Sequence, residues 1–123
     1  LLATANKKLT NNELAEKLYA RGLALEPAHE ELWFERIDNM QISSNHEQAL
    51  AFSENALTCI KDSVPIMYRQ FISQYALGQF AKAFEYLEFL LTHHFDGATD
   101  LLNLFPALAN DARFVDRFDR YKP

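Results

Sequence analysis

A recurring sequence step limits this chain more than any other feature. Ala15 in NNELAEKLY, Ala49 in SNHEQALAF and Ala83 in GQFAKAFEY stand at equal intervals, from 15 to 49 and from 49 to 83. Leu23, Leu57 and Leu91 keep the step, as do Asn11, Asn45 and Gln79, and Thr58 with Thr92. A period of about 34 residues with a small residue at a fixed point marks a helix–turn–helix unit that stacks on copies of itself. One such helix pair cannot bury its own apolar face, so about three in a row are the minimum for stability. The small residues have a mechanical reason: helices that cross closely leave no room for bulk. Ala15, Ala49, Ala56 and Ala83 meet that need, and Gly22 does so at about 1 kcal/mol in helix propensity.

The apolar spacing agrees with helices. Trp33, Ile37 and Met40 fall at i, i+4, i+7, as do Phe80, Phe84 and Leu87. Asn11 and Asn45 suit N-caps, and Pro27 and Pro65 suit joints where a missing N–H is harmless. No stretch alternates strictly enough for a strand. The pattern predicts helices over 1–8, 11–25, 29–42, 46–61, 64–77, 80–94, 98–109 and 111–121. The fold class expected is all-α, with residues 1–123 forming one domain. Its units run over about 1–27, 30–63 and 64–97, with a degenerate unit and cap over 98–123. In that tail, Phe114, Phe118 and Tyr121 share one helix face while Arg113, Asp116, Arg117, Asp119 and Arg120 take the others. This reads as a closing helix that shields the last apolar face. A sharper reading gives the Arg113, Arg117 and Arg120 side an anionic partner.

Composition removes several function classes. A net charge of −5, from 12 Lys and Arg against 17 Asp and Glu, argues against contact with a nucleic-acid backbone. The three glycines, Gly22, Gly78 and Gly97, are too scattered for a phosphate loop. Cys59, the single cysteine, forms no internal disulfide and reads as a small core residue. His93 and His94 are adjacent, hence about 100° apart on a helix, and suit a helix C-terminus better than a metal. No Ser, His and Asp set sits in a nucleophile motif. No enzyme activity, metal or cofactor is therefore expected. No apolar run approaches the roughly 20 residues of a membrane span. The chain opens in LLATANKK without an initiator Met and is expected to be a fragment of a longer protein.

These residues resemble the tetratricopeptide repeat (TPR) family. The second helix of a first unit is carried by Ala15, Tyr19, Leu23 and Pro27. In the second unit Trp33 stands sixteen positions before Ala49, with Ala56 beyond it. The third has the turn glycine and aromatic in LGQFAKA, Leu77 to Ala83. The chain departs from the family at Arg36 and Ile37, where Leu and Gly are usual, at Ser44 for a turn glycine, and at Ser53 for an aromatic. The resemblance implies a right-handed α-solenoid of antiparallel helix pairs, about three and a half repeats plus the closing helix.

The resemblance also implies a use. The first helix of each pair would line a concave groove, with Glu31, Phe34, Glu35, Asp38 and Ile42 from one unit. Tyr68, Arg69, Ile72 and Tyr75 would come from the next. Phe34, Tyr68, Ile72 and Tyr75 are expected as exposed apolar anchors. One acidic wall and one aromatic wall imply a protein or peptide partner that is basic and apolar. The expected role is a non-enzymatic protein–protein interaction module taking a peptide, a helix or a neighbouring domain. The alternative is a regulatory or sensor domain of a larger protein, such as a membrane-anchored bacterial transcription regulator, or a secretion chaperone. Acidic chaperone tails of EEVD type are disfavoured, because Glu35 stands where such grooves carry an Asn. The expected compartment is the cytoplasm, or the periplasm for a membrane-anchored regulator.

Overall fold

The computed structural model describes residues 11–123, apart from the side chain of Asn12. The helix expected over 1–8 lies outside the described residues. Five helices come one after another: α1 (Asn11–Leu25), α2 (Glu30–Ile42), α3 (His46–Cys59), α4 (Val64–Ala76) and α5 (Phe80–His93). A 3-10 turn (Phe95–Asp100), a single helical turn α6 (Leu101–Leu104) and a second 3-10 turn (Pro106–Asn110) lead to α7 (Ala112–Tyr121). There is no strand among the described residues, and the all-α expectation holds. Asn11, expected as a cap, is itself the first residue of α1.

The continuous helix expected over 98–109 does not form. Pro106 forces the residue before it out of the helical region, and Phe105 lies outside it at φ −141, ψ 78. Asp111 is extended, at φ −103, ψ 107. The tail thus folds into short turns that change direction.

The sequence period is written into the backbone. The turn after α2 closes with Ser43 N–H to Asn39 O, Ser44 to Gln41 and Asn45 to Met40, at 3.2, 3.0 and 2.8 Å. The turn after α4 repeats these bonds one period later: Leu77 to Ser73, Gly78 to Tyr75 and Gln79 to Gln74, at 3.0, 3.0 and 2.9 Å. The ends of the second helices match too. Glu26 bonds to Gly22, Ile60 to Ala56 and His94 to Leu90, at 2.9, 2.7 and 2.7 Å. Ser44 (φ 61) and Gly78 (φ 78) are the left-handed residues of the two turns.

Each long helix packs on the next, from α1 through α5, and α2 also touches α4 while α5 touches α7. Small residues mark the close approaches. Ala49, Ala56 and Ala83 are fully buried, and a Cβ at Gly22 would meet Leu32 Cδ1 at 2.7 Å. Two apolar clusters result. Trp33, Ile37, Met40, Phe52 and Ile66 anchor the first, and the Trp33 indole N–H bonds to Pro27 O at 2.7 Å. The second centres on Phe71, Phe84, Leu87 and Leu90, and draws in Leu101, Leu108 and Phe114 from the tail. Burying one such aromatic is worth about 1.5–3 kcal/mol.

Cys59 is not a core residue. It ends α3 and is exposed. Its counterparts one period to either side, Leu25 and His93, are exposed too, so the helix end itself faces solvent.

Candidate surface along α2

The nine residues expected to line a groove separate into two groups. Glu31, Phe34, Glu35, Asp38 and Ile42 lie along one face of α2, as positions three, four, seven and eleven apart must. Glu31, Glu35 and Ile42 are exposed, Ile42 at 75%, and Phe34 and Asp38 are half-buried. These five remain on the surface.

The α4 residues do not form an aromatic wall. Tyr68 and Ile72 are only 3% exposed and Arg69 is buried; Tyr75 is half-buried. The tail covers this face. The Tyr68 hydroxyl donates to His94 O at 2.7 Å and lies 3.3 Å from Leu90 O. Gly97 sits so close that a Cβ there would meet Tyr68 Cε2 at 2.7 Å. Ile72 belongs to the cluster that holds Leu101 and Leu108. Tyr75 is enclosed by the rings of Phe71, Phe80, Phe84 and Phe105 at 5.4–6.1 Å, and its hydroxyl donates to Asp111. Burial and that bond raise the Tyr75 pKa, and burial raises that of Tyr68.

Asp111 fastens this cover. Its carboxylate caps α7 through Arg113 N–H at 2.9 Å and accepts from the Arg113 guanidinium at 3.0 and 2.8 Å. The Arg113 bonds, with help from Tyr75, hold its pKa well below the usual carboxylate value against the opposing effect of burial. The other tail arginines also make contacts within the chain. Arg117 and Arg120 approach Glu88 at 3.2 and 3.7 Å, Tyr121 joins them at 3.1 Å, and Arg113 lies 4.3 Å from the Phe80 ring centre. Arg113 and Arg120 stay exposed, at 49% and 59%, and each is paired with a carboxylate of its own chain, Asp111 and Glu88.

Arg69 forms a floor beneath the α2 face. Its guanidinium is ion-paired with Asp38, donates to Gln41 Oε1 at 3.1 Å and lies 4.6 Å from the Phe34 ring centre. Gln41 in turn donates to Arg69 O and Ser73 Oγ, both at 2.8 Å. Asp38 therefore neutralises Arg69, while none of Glu30, Glu31 and Glu35 forms an ion pair among the described residues. Tyr19, from α1, has its pKa raised first by burial and then by the charges of Glu35, Glu16 and Asp38. That field is negative.

Two hollows sit at the ends of this face. One, of about 330 Å³, is bounded by Glu30, Glu31, Phe34 and Pro65. The other, of about 360 Å³, lies between the end of α2 and residues 103–105, with Ile42, Ile72, Leu104 and Phe105 as apolar walls. Gln41, His46, Arg69 and Asn103 add polar groups. His46 Nδ1 is buried without a partner among the described residues, and burial lowers the pKa of the ring. Sequence reasoning missed Leu104, Phe105 and His46; the signal was the apolar density of LLNLFPAL, richer than a shielding cap requires.

No three His, Cys, Asp or Glu side chains converge as a metal site among the described residues, and no described helix is long and apolar enough to cross a membrane. Compared with family models, with curated proteins and with solved structures, the chain matches none.

Proposed function

We propose that this chain is a non-enzymatic protein-interaction module of tetratricopeptide type, its helix pairs stacked as an α-solenoid. It takes a peptide, a helix or a neighbouring domain along the α2 face. The periodic recurrence of turn and helix-end hydrogen bonds supports the repeat reading. The observation that carries the functional reading is the exposed α2 row itself. Glu31 and Glu35, without an ion pair among the described residues, stand beside Phe34, and the row ends at Ile42 over a hollow with both apolar and polar walls. Exposed apolar groups next to oriented charge are what a recognition surface needs: the charge steers encounter and the apolar groups hold the complex. Arg69, the cation in this floor, is already committed to Asp38, which argues against acidic tails as ligands.

The test is a pull-down from lysate at low and high salt with wild type, Glu31→Lys/Glu35→Lys and Ile42→Asp. The charge variant should lose partners mainly at low ionic strength, and the Ile42 variant at both. Retention of every partner by both variants would move the binding surface off α2.

A further inference from the structure

We propose that the α2 face is a two-subsite groove for an extended segment of another protein. That segment carries a lysine or arginine four or five residues from a large apolar side chain. This rests on the interaction reading above and names the partner's chemistry.

The first subsite is the hollow at the start of α2. Glu30 and Glu31 face a basic head group there, and Phe34 and Pro65 supply apolar surface for its stem. Long basic side chains bury their methylenes along such surface while the charge stays at the rim. Glu30 accepts the Ser63 hydroxyl with one oxygen, Oε2, and the distance is 2.5 Å; no cation among the described residues pairs with Glu31. Arg69 already lies over the Phe34 ring, so the carboxylates rather than the ring hold the incoming charge.

The second subsite is the hollow at the other end. Ile42, 75% exposed, and Leu104, 45% exposed, form its lip, with Phe105 and Ile72 inside. Asp38, Gln41, Ser44, His46 and Arg69 complete the lining, so it is a notch where α2, α3 and α4 meet the 103–105 turn. A notch takes a side chain; it does not take a helix about 10 Å across.

Spacing links the two. From Glu31 or Phe34 to Ile42 is eight to eleven helical positions, roughly 12–16 Å at about 1.5 Å each. An extended chain rises about 3.3 Å per residue, so four or five residues bridge the gap. Charge selects the occupant: α2 carries four carboxylates and one guanidinium, and Arg36 is already paired with Glu16 at 2.8 Å.

The experiment selects a phage-displayed library of random 12-residue peptides on the full 123-residue chain. The most enriched peptide is then titrated by fluorescence anisotropy. Enriched peptides are expected to place Lys or Arg four or five residues from Leu, Ile, Met or Phe. Ile42→Asp/Leu104→Asp should weaken the peptide about tenfold or more at any salt. Glu31→Lys should weaken it about tenfold at low salt and much less at high salt. Both variants alter exposed side chains, and thermal melts verify that they fold. If peptides are enriched but both variants bind them unchanged, the two-subsite groove is wrong while the interaction reading stands. Enrichment without basic residues removes the cation subsite. If no peptide is enriched above background, the two-subsite groove and its extended-segment partner are overturned, and the pull-down alone decides the broader interaction reading.

Discussion

Residues 30–63 and 64–97 share helix bounds and turn hydrogen bonds one period apart and differ in what they show to solvent. Aligned one period apart, Phe34 meets Tyr68, Glu35 meets Arg69, Asp38 meets Ile72 and Gln41 meets Tyr75. The turn hydrogen bonds around them coincide. Yet Phe34, Glu35 and Asp38 stay on the surface and only Gln41 joins the polar floor, while the α4 members lie under the tail or within that floor. The difference comes from the segment that each unit leads into. After α3 the chain goes straight into another helix pair. After α5 it turns back over α4 at Gly97, crosses Tyr75 at Phe105 and is pinned at Asp111. In a repeat array the position in the period sets the backbone, and the neighbours decide whether a side chain is a contact or a core residue.

The sharpest way to break this comparison is to truncate equivalent aromatics. Tyr68→Ala removes a buried ring and a bond to His94 O, and should cost about 3–5 kcal/mol in thermal or urea unfolding. Phe34→Ala, at the same register but half-buried, should cost about 1 kcal/mol and act mainly on binding. Equal losses would mean that the tail does not distinguish the two faces.

How much of this is legible in the sequence depends on range. Ala49 and Ala83 announce the helix crossings because steric demand at a crossing is local and repeats. The acidic row on α2 is legible for the same reason: helix spacing alone puts Glu31, Glu35 and Asp38 together. The burial of Tyr68 and Ile72 is not, because their cover comes from a tail well beyond them that does not keep the period. Gly97 is the one local clue, a residue without a side chain where the chain passes over a ring. Cys59 misleads through its apolar neighbours, since Leu57 and Ile60, not Cys59, carry that packing.

A smaller effect probes the pin that holds the tail on α4. The folded pKa of Asp111 is depressed below its unfolded value of about 3.9. Its contribution is therefore fully present above about pH 5 and is lost as pH falls below about 4 toward the folded value. Asp111→Asn keeps a capping side chain but removes the charge that Arg113 and Tyr75 address. It should be less stable than wild type by about 1 kcal/mol at pH 7, and the gap should narrow steadily as pH falls below about 4. A gap that stays constant with pH in thermal melts would show that the charge plays no part in holding the tail.

The smallest expected effect lies in the two turns. Ser44 and Gly78 make matching bonds and both adopt positive φ, at 61° and 78°, a region that disfavours a residue with a Cβ by about 1 kcal/mol or more. Glycine tolerates it but leaves the unfolded chain freer, which offsets roughly half of the gain. Ser44→Gly should thus stabilise by about 0.5 kcal/mol. Gly78→Ser should destabilise by a similar or slightly larger amount, and sterics are not the cause, because a Cβ at 78 would meet nothing within 4 Å. The two turns are far apart in sequence and share no side-chain partner among those described, so the changes should add. The double exchange Ser44→Gly/Gly78→Ser should then melt within about 0.5 kcal/mol of wild type. If Ser44→Gly instead destabilises, the Ser44 side chain holds its turn by a contact that Gly78 lacks, and the two units differ in their backbone after all.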